Sequence, residues 1–237
     1  MSAFALSFRT AFELIVQADP ALVRTVALSL WVSGLACLLA SGFGLALGAW
    51  LAVARFPGHR LALLALNTLL ALPSVLVGLV VYLLLSRSGP LGSWGILFTP
   101  SAMVIAQTLL VLPIVAALTH QLVGDALRDG GDQLRSMGAA PLTCALLMLV
   151  HGRWAVLTVL IAAFGRAIAE VGAVMIVSGN IDGFTRVMTT TIALETSKGD
   201  LPLALALGLV LLAVVAVLNA LLGLARRGQG SALAGVR

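Results

Sequence analysis

Three clusters of polar residues interrupt an otherwise apolar chain, and each could carry chemistry. Residues 125–141 contain acids, arginines and glycines, a composition that favours contact with water or with a soluble partner. Arg166 and Glu170 lie inside a long apolar stretch, where an ion pair either fixes helix packing or faces a polar pathway. Residues 180–191 are rich in threonine, and hydroxyl groups can donate hydrogen bonds to an oxyanion. These residue types indicate recognition of a partner and of an anion.

The spacing of Arg166 and Glu170 is that of neighbours on one helical face. A charge at the centre of a bilayer costs about 3 kcal/mol or more, so we expect it to point into a helix bundle, paired or hydrated. Two interpretations stay open. The pair either fixes a helix interface, or it lines the pathway or its gate, where Arg166 attracts an anion and Glu170 limits the strength of its binding.

The threonine-rich segment supplies a further set of candidates. The candidate anion contacts are Thr185, Arg186, Thr189 and Thr190. Their hydroxyls and guanidinium can donate hydrogen bonds to an oxyanion. Asn180, at the start of the segment, is a further candidate for the pathway or gate. The alternative is a polar outer loop on which a partner protein docks.

The elements that must position these residues are membrane-spanning helices. Hydrophobic residues make up 61% of the 237 residues and charged residues 10%, against about 25% charged residues in a typical soluble domain. A bilayer core needs about 20 apolar residues in a helix, and lipid offers backbone groups no partner outside helices or closed barrels. The chain lacks the alternating segments of about ten residues that a barrel requires. Five stretches are predicted to span: Thr25–Val53, Leu61–Ser86, Ser101–Thr119, Trp154–Ser178 and Leu201–Ala225.

The distribution of basic residues predicts the orientation of these spans. Eight basic residues fall on one side and five on the other, and basic residues in short loops favour the cytoplasm. The N-terminus is then outside, the C-terminus is cytoplasmic, and residues 120–153 face the cytoplasm. The predicted domains are an N-terminal surface segment outside (1–24), a transmembrane domain (25–225) and a short cytoplasmic tail (226–237). The apolar stretch Leu142–Val150 is too short to span, and we place it at the interface.

The cytoplasmic segment has the pattern of two short helices that meet at an angle. Gly138 can adopt the left-handed conformation that ends a helix, and Pro141 suits the first turn of the next helix. A bent helical knob with small residues at its tip suits insertion into a groove on a partner protein. The alternative is a plain solvated loop.

Two prolines lie within predicted spans. Pro73 and Pro113 each remove a backbone hydrogen bond, so we predict that they kink their helices. These kinks are either features of packing or hinges for a conformational change.

Several classes of function are disfavoured by the same sequence. Thirteen of the 14 basic residues are arginines, scattered without aromatic residues between them, which argues against nucleic-acid binding. No Gly-x-x-x-x-Gly-Lys-Ser/Thr segment is present, so the chain cannot hydrolyse ATP by phosphate-loop chemistry. Cys37 and Cys144 have no metal or redox spacing; we interpret both as packing residues and assign no metal site. An intramembrane enzyme is the alternative from another class, but it needs a clustered nucleophile and base.

Residues 132–141 resemble the cytoplasmic coupling motif of ABC importer permeases. Asp132 stands at the position of the motif's first Glu and Gly138 at the position of its Gly, while residues 148–151 depart from its closing Ile-x-Leu-Pro. The resemblance implies that residues 125–150 dock on a separate ATP-binding subunit. The residues it implies for ATPase coupling are Asp132, Arg135, Gly138, Ala139, Ala140 and Pro141.

Residues 165–181 narrow this resemblance. Together with Thr185–Thr190 and Leu194–Asp200 they are similar to the permease subunit of tungstate importers, and molybdate and sulfate permeases carry a looser version of the pattern. The resemblance implies an all-α type I ABC importer permease fold. It also implies transport of an oxyanion, with tungstate as the first choice and molybdate or sulfate as alternatives.

The same resemblance implies partners and a location. The permease would form a homodimer with its pathway on the two-fold axis, joined by two ATP-binding subunits and an extracytoplasmic oxyanion-binding protein. ATP and magnesium would bind to the partner ATPase, and this chain would hold no cofactor. The assembly would lie in the lipid of a bacterial or archaeal plasma (inner) membrane, with no nucleic-acid partner.

Overall fold

The computed structural model describes residues 3–17 and 19–234, and the regular elements of these residues are helices. In chain order they are α1 Ala3–Gln17, α2 Pro20–Val53, α3 His59–Leu69, α4 Ser74–Leu85, α5 Pro100–Ser136, α6 Pro141–His151, α7 Arg153–Ile168, α8 Gly172–Ser178, α9 Met188–Lys198 and α10 Leu201–Ala234, with a 3-10 turn at Gly92–Trp94. The predicted all-α membrane fold is confirmed.

Three helices are long and apolar enough to cross a membrane on their own. These are α2, α5 and α10, which cover the predicted first, third and fifth spans. Two bent pairs, α3 with α4 and α6 with α7, bring the number of spans in the described part of the chain to five if each pair forms one span. The bounds differ from those predicted: α2 begins at Pro20, and α10 continues through residues 226–234 of the predicted tail, whose last three residues lie outside the described ones.

The predicted second span is broken where a kink was expected. Helix α3 ends at Leu69, α4 begins at Ser74, and the two helices are bent by 99°. Pro73 lies immediately before α4 in an extended conformation, with ψ 124°. Because proline lacks an N–H and disfavours helix in the preceding residue, it separates the two helices rather than kinking a continuous one.

The predicted fourth span is also two helices. Helix α7 ends at Ile168 and α8 begins at Gly172, so Glu170 lies in the break between them. The apolar segment before this span forms α6, which meets α7 at a bend of 78° around Gly152. Pro113, by contrast, lies inside α5, which continues on both sides of it although proline donates no backbone hydrogen bond there; the kink at Pro113 stays a prediction.

Residues 31–179 form one compact unit in which α5 is the central helix. It contacts α3, α4, α6, α7 and α8. One cluster of its core contains Cys37, Val111, Val115 and Ala163, so Cys37 is a buried packing residue as predicted. Small residues allow neighbouring helices to approach closely: a Cβ at Gly78 would lie 2.7 Å from Ala173 Cα, where α4 meets α8. Such contacts are typical of membrane helices, whose interfaces favour small residues.

The described parts of residues 1–30 and 180–237 form the other unit. In it α10 packs against α1 and α9, around buried Ala11, Met188 and Leu207. The Met188 N–H donates a 2.9 Å hydrogen bond to Ser29 Oγ, which attaches the start of α9 to the first part of α2. Helix α1 is therefore anchored through Ala11 to the core of this unit.

Candidate anion pathway and coupling surface

The break between α7 and α8 places a carboxylate in the protein interior. Glu170 is 3% exposed, and its Oε1 accepts a 3.0 Å hydrogen bond from the N–H of Ala173 in the first turn of α8. The first N–H groups of a helix have no partner within the helix and carry partial positive charge. Glu170 therefore caps α8, a function that the sequence spacing did not reveal.

Arg166 supplies the other half of the site. Its Nη1 donates a 2.5 Å hydrogen bond to Glu170 Oε2, so the ion pair predicted from the spacing of four residues does form. The geometry differs from the prediction, because Arg166 lies on α7 whereas Glu170 lies beyond its end. The two partners also differ in exposure, at 39% for the Arg166 side chain against 3% for Glu170. The guanidinium is thus the accessible member of the pair.

The start of α4 completes the surroundings of Glu170. The Ser74 hydroxyl hydrogen-bonds to the Glu170 carboxylate. Gly172 packs so closely there that a Cβ would lie 2.8 Å from Ser74 Oγ. The two breaks, before α4 and before α8, therefore meet at one carboxylate. Broken helices at membrane depth are tolerated where the irregular backbone is buried in protein or lines a cavity, and transporters place substrate sites at such breaks.

Gln107 connects this region to α5. Its Nε2 donates a 3.0 Å hydrogen bond to the carbonyl of Ala167, the residue after Arg166. The Gln107 side chain is buried, and its Oε1 has no hydrogen-bond partner among the described residues. A single buried amide in an apolar helix is the one signal by which the sequence could have pointed to this contact.

The threonine-rich segment is held together by its own side chains. Thr185 Oγ1 accepts a 3.0 Å hydrogen bond from the Ile181 N–H, and Thr190 Oγ1 accepts one of 3.1 Å from the Val187 N–H. Thr185, Thr189 and Thr190 are all buried. Their side chains therefore lie inside the fold rather than on its surface, and docking of a partner on these residues stays a prediction. The exposed part of the segment is residues 181–184.

Arg186 folds back over the beginning of this segment. Its Nη1 forms a 3.0 Å ion pair with Asp182 Oδ1, and its Nη2 donates a 3.4 Å hydrogen bond to the carbonyl of Asn180. Asn180 has a left-handed backbone, with φ +50°. The structure thus brings Asn180, Asp182, Thr185 and Arg186 into one small hydrogen-bonded cluster.

The predicted coupling segment is a sharp corner between two helices. Helix α5 ends at Ser136, Gly138 has the left-handed φ of +81° that was predicted, and Pro141 occupies the first turn of α6. The preceding helix is not short, however, because α5 is continuous over 37 residues. That is about 55 Å, well beyond the bilayer core of about 30 Å.

The tip of this corner is exposed and its base is packed. Met137 is 77% exposed, and Gly138 and Ala140 are exposed too, with Ala139 partly so. Behind the tip, α5 and α6 share a core cluster that includes Leu127, Cys144 and Ala145. The Asp132 carboxylate, on the outer side, is 98% exposed and pairs with Arg135 at 3.3 Å. A knob with a packed base and an accessible tip is therefore formed where α5 meets α6.

Comparison with known proteins identifies the family to which this chain belongs. No family model matches the chain. The chain is 42% identical over 226 residues to the tungstate uptake system permease protein of Peptoclostridium acidaminophilum, covering 94% of this chain and 97% of that protein. The chain belongs to the tungstate-type family of ABC transporter permeases. This permease is accordingly a multi-pass membrane protein.

Three further relatives are also permeases of anion transporters. The permease is 38% identical over 212 residues to the tungstate uptake system permease protein of Campylobacter jejuni, covering 90% of this chain and 89% of that protein. It is 42% identical over 205 residues to a probable anion ABC transporter permease protein of Haloferax volcanii, covering 84% and 88%. A sulfate transport system permease protein of Escherichia coli is 32% identical over 71% of this chain and 60% of its own length.

Proposed function

We propose that this permease is the membrane subunit of an importer that carries tungstate across the plasma membrane. The observation that carries the proposal is the 42% identity to a tungstate uptake permease over 97% of that protein's length. The sulfate permeases match at 32% identity and over a smaller share of their length, so sulfate is the weaker alternative. Molybdate, an oxyanion of the same charge and shape as tungstate, is the second candidate.

The ion pair of Arg166 and Glu170 is the proposed gate of the pathway. Glu170 is fixed by Arg166, by the Ala173 N–H and by Ser74, so it is the immobile partner. Arg166 is partly exposed, and a guanidinium carries five N–H donors, of which the bond to Glu170 uses one. An arriving dianion would therefore find free donors on Arg166, and competition with Glu170 would keep its binding weak enough for release.

The knob at Met137–Ala140 is the proposed contact with a partner ATPase. Its exposed tip lies between two helices that lead back into the bundle, α5 on one side and α6 followed by α7 on the other. Helix α5 links this tip to Gln107, which bonds to the residue after Arg166. Movement of the knob would therefore reach the gate through continuous helix.

The remaining partners follow from the family. We infer a homodimer with its pathway on the two-fold axis, two ATP-binding subunits that hold ATP and magnesium, and an extracytoplasmic protein that delivers the anion. The knob would face the cytoplasm, which places the C-terminus inside and the N-terminus outside. The exposed residues 181–184 are the proposed contact with the delivering protein, instead of the buried threonines.

Uptake of metal by intact cells tests the substrate. Cells with and without the gene would be grown in nanomolar tungstate and molybdate together, and both elements would be counted inside. We expect loss of tungsten and restoration of its uptake by the wild-type gene. Loss of molybdenum alone would refute tungstate as the substrate and leave the permease function in place, whereas no change in either element would refute oxyanion import.

A further inference from the structure

A second basic site lies away from the gate, at the end of the bundle that carries the knob. An open cleft of about 1010 Å³ is bordered by the segment that joins α2 to α3, by the end of α5 and by the start of α6. Three arginines line it, Arg55, Arg60 and Arg135, together with His59. None of the described residues that line this cleft is acidic, so its charge favours an anion.

Two of these arginines are available to bind an anion. Neither Arg55 nor Arg60 forms an ion pair or a side-chain hydrogen bond with a described residue, and both side chains are exposed. Arg135 is paired only with Asp132, whose carboxylate is almost fully exposed. His59, in contrast, is held by a 2.9 Å hydrogen bond between its Nε2 and the carbonyl of Leu51, which fixes the wall of the cleft.

The backbone adds to the positive character of the cleft. Helix α3 begins at His59 and α6 begins at Pro141, and both of these residues line it. The residues that precede these helices, Gly58 and Ala140, provide no side-chain cap. The starts of two helices therefore contribute partial positive charge beside the arginines.

Exposed apolar side chains surround the cleft. Helix α3 is bent by 99° from α4, and it presents Leu61 and Leu64 to the outside at 68% and 62% exposure. Trp50, 46% exposed, stacks on Phe56 at a centroid distance of 5.4 Å, and Phe56 lines the cleft. Exposed leucines and an aromatic pair next to arginines are typical of the boundary between headgroups and acyl chains.

We propose that this cationic cleft binds the phosphate of an anionic phospholipid headgroup, whose acyl chains lie along the exposed leucines of α3. Basic pockets beside transmembrane helices bind phosphate headgroups through the same chemistry. The apolar border favours a lipid over free phosphate as the source of the group. The site would anchor the base of the knob to the membrane surface, a property that the transport function does not require.

Lipid binding to the purified, full-length permease tests this directly. Native mass spectrometry would count phosphatidylglycerol and zwitterionic phosphatidylcholine retained by the wild type and by the Arg55→Gln/Arg60→Gln variant. Each basic residue near a membrane surface contributes about a fivefold factor in affinity, so we expect phosphatidylglycerol to bind about 30-fold more weakly to the double variant. The matched control is Arg128→Gln/Arg153→Gln, which removes the same charge outside the cleft and should bind like the wild type.

Further measurements distinguish a lipid site from a free-phosphate site and from a protein contact. An Arg55→Lys/Arg60→Lys variant keeps the charge, and it should retain binding within a few-fold even if the glutamine variant folds poorly. Displacement of the lipid by millimolar inorganic phosphate would overturn the lipid as occupant. Equal retention of both lipids, or equal binding by the wild type and the glutamine variant, would overturn the site itself. Loss of ATPase co-purification from that variant with lipid binding unchanged would reassign the cleft to protein contact. None of these readouts depends on which anion is transported.

Discussion

Removing either partner of the gate pair should destabilise the permease, but not equally. Arg166→Gln leaves Glu170, which is 3% exposed, as a buried carboxylate without its cation. Breaking a buried pair in this way costs about 3–5 kcal/mol. Two hydrogen bonds to the carboxylate remain, from the Ala173 N–H and from Ser74, so we expect the lower end of that range.

Glu170→Gln leaves a different residue unpaired. Arg166 is 39% exposed and can be hydrated, while the new amide oxygen still accepts the Ala173 N–H. The loss is then one hydrogen bond between charged groups, about 1.5–3 kcal/mol before solvent screening, and we expect about 1 kcal/mol because the arginine is exposed. The double variant Arg166→Gln/Glu170→Gln should be more stable than Arg166→Gln alone.

The assay is the free energy of unfolding of purified permease in mixed micelles, measured for the four proteins of this double-mutant cycle. The transport of tungstate by the same four proteins separates the two interpretations of the pair. A double variant that regains stability but not uptake identifies a gate, and one that regains both identifies a structural pair. An Arg166→Gln protein as stable as the wild type, or more stable than Glu170→Gln, would refute the reasoning.

Three further predictions concern the knob, the helix interface and the threonine-rich segment. Gly138→Val places a branched side chain at φ +81°, which costs about 1–2 kcal/mol locally; we expect uptake and ATPase co-purification to fall, and full uptake would contradict coupling through this tip. Gly78→Ala puts a Cβ 2.7 Å from Ala173 Cα and should lower the stability by about 1–3 kcal/mol. Gly34→Ala, which meets no atom within 4 Å, is the control in the same denaturation assay, and equal effects would contradict the packing argument. Thr190→Val deprives the Val187 N–H of its acceptor and should cost about 1–3 kcal/mol, whereas an unchanged free energy of unfolding would show that the bond is dispensable.

The sequence predicted the features that depend on local chemistry. Glycine is favoured just after a helix end and proline in a first turn, and Gly138 and Pro141 occupy these places. The spacing of Arg166 and Glu170 sufficed to predict their ion pair. These features involve residues only a few positions apart, and local helix geometry alone determines how such residues meet.

The features that the sequence could not predict depend on packing between distant segments. The sequence around Glu170 has the composition of a continuous apolar helix. The break there is explained only by the packing of Ser74, at the start of α4, against Gly172. The continuous α5 was missed for a related reason. Its second half is polar, and its helical state depends on burial of Leu127 against α6, which composition does not disclose.

The continuity of α5 makes it a lever. Residues 107 and 136 are 29 positions apart, so the arm from Gln107 to the last turn of α5 is roughly 44 Å long. When an arm of that length tilts as one unit by about 5°, its end moves by about 4 Å. A small rotation about the contact between Gln107 and Ala167 would thus become a displacement of several ångströms at Met137, where an attached spectroscopic probe would detect it.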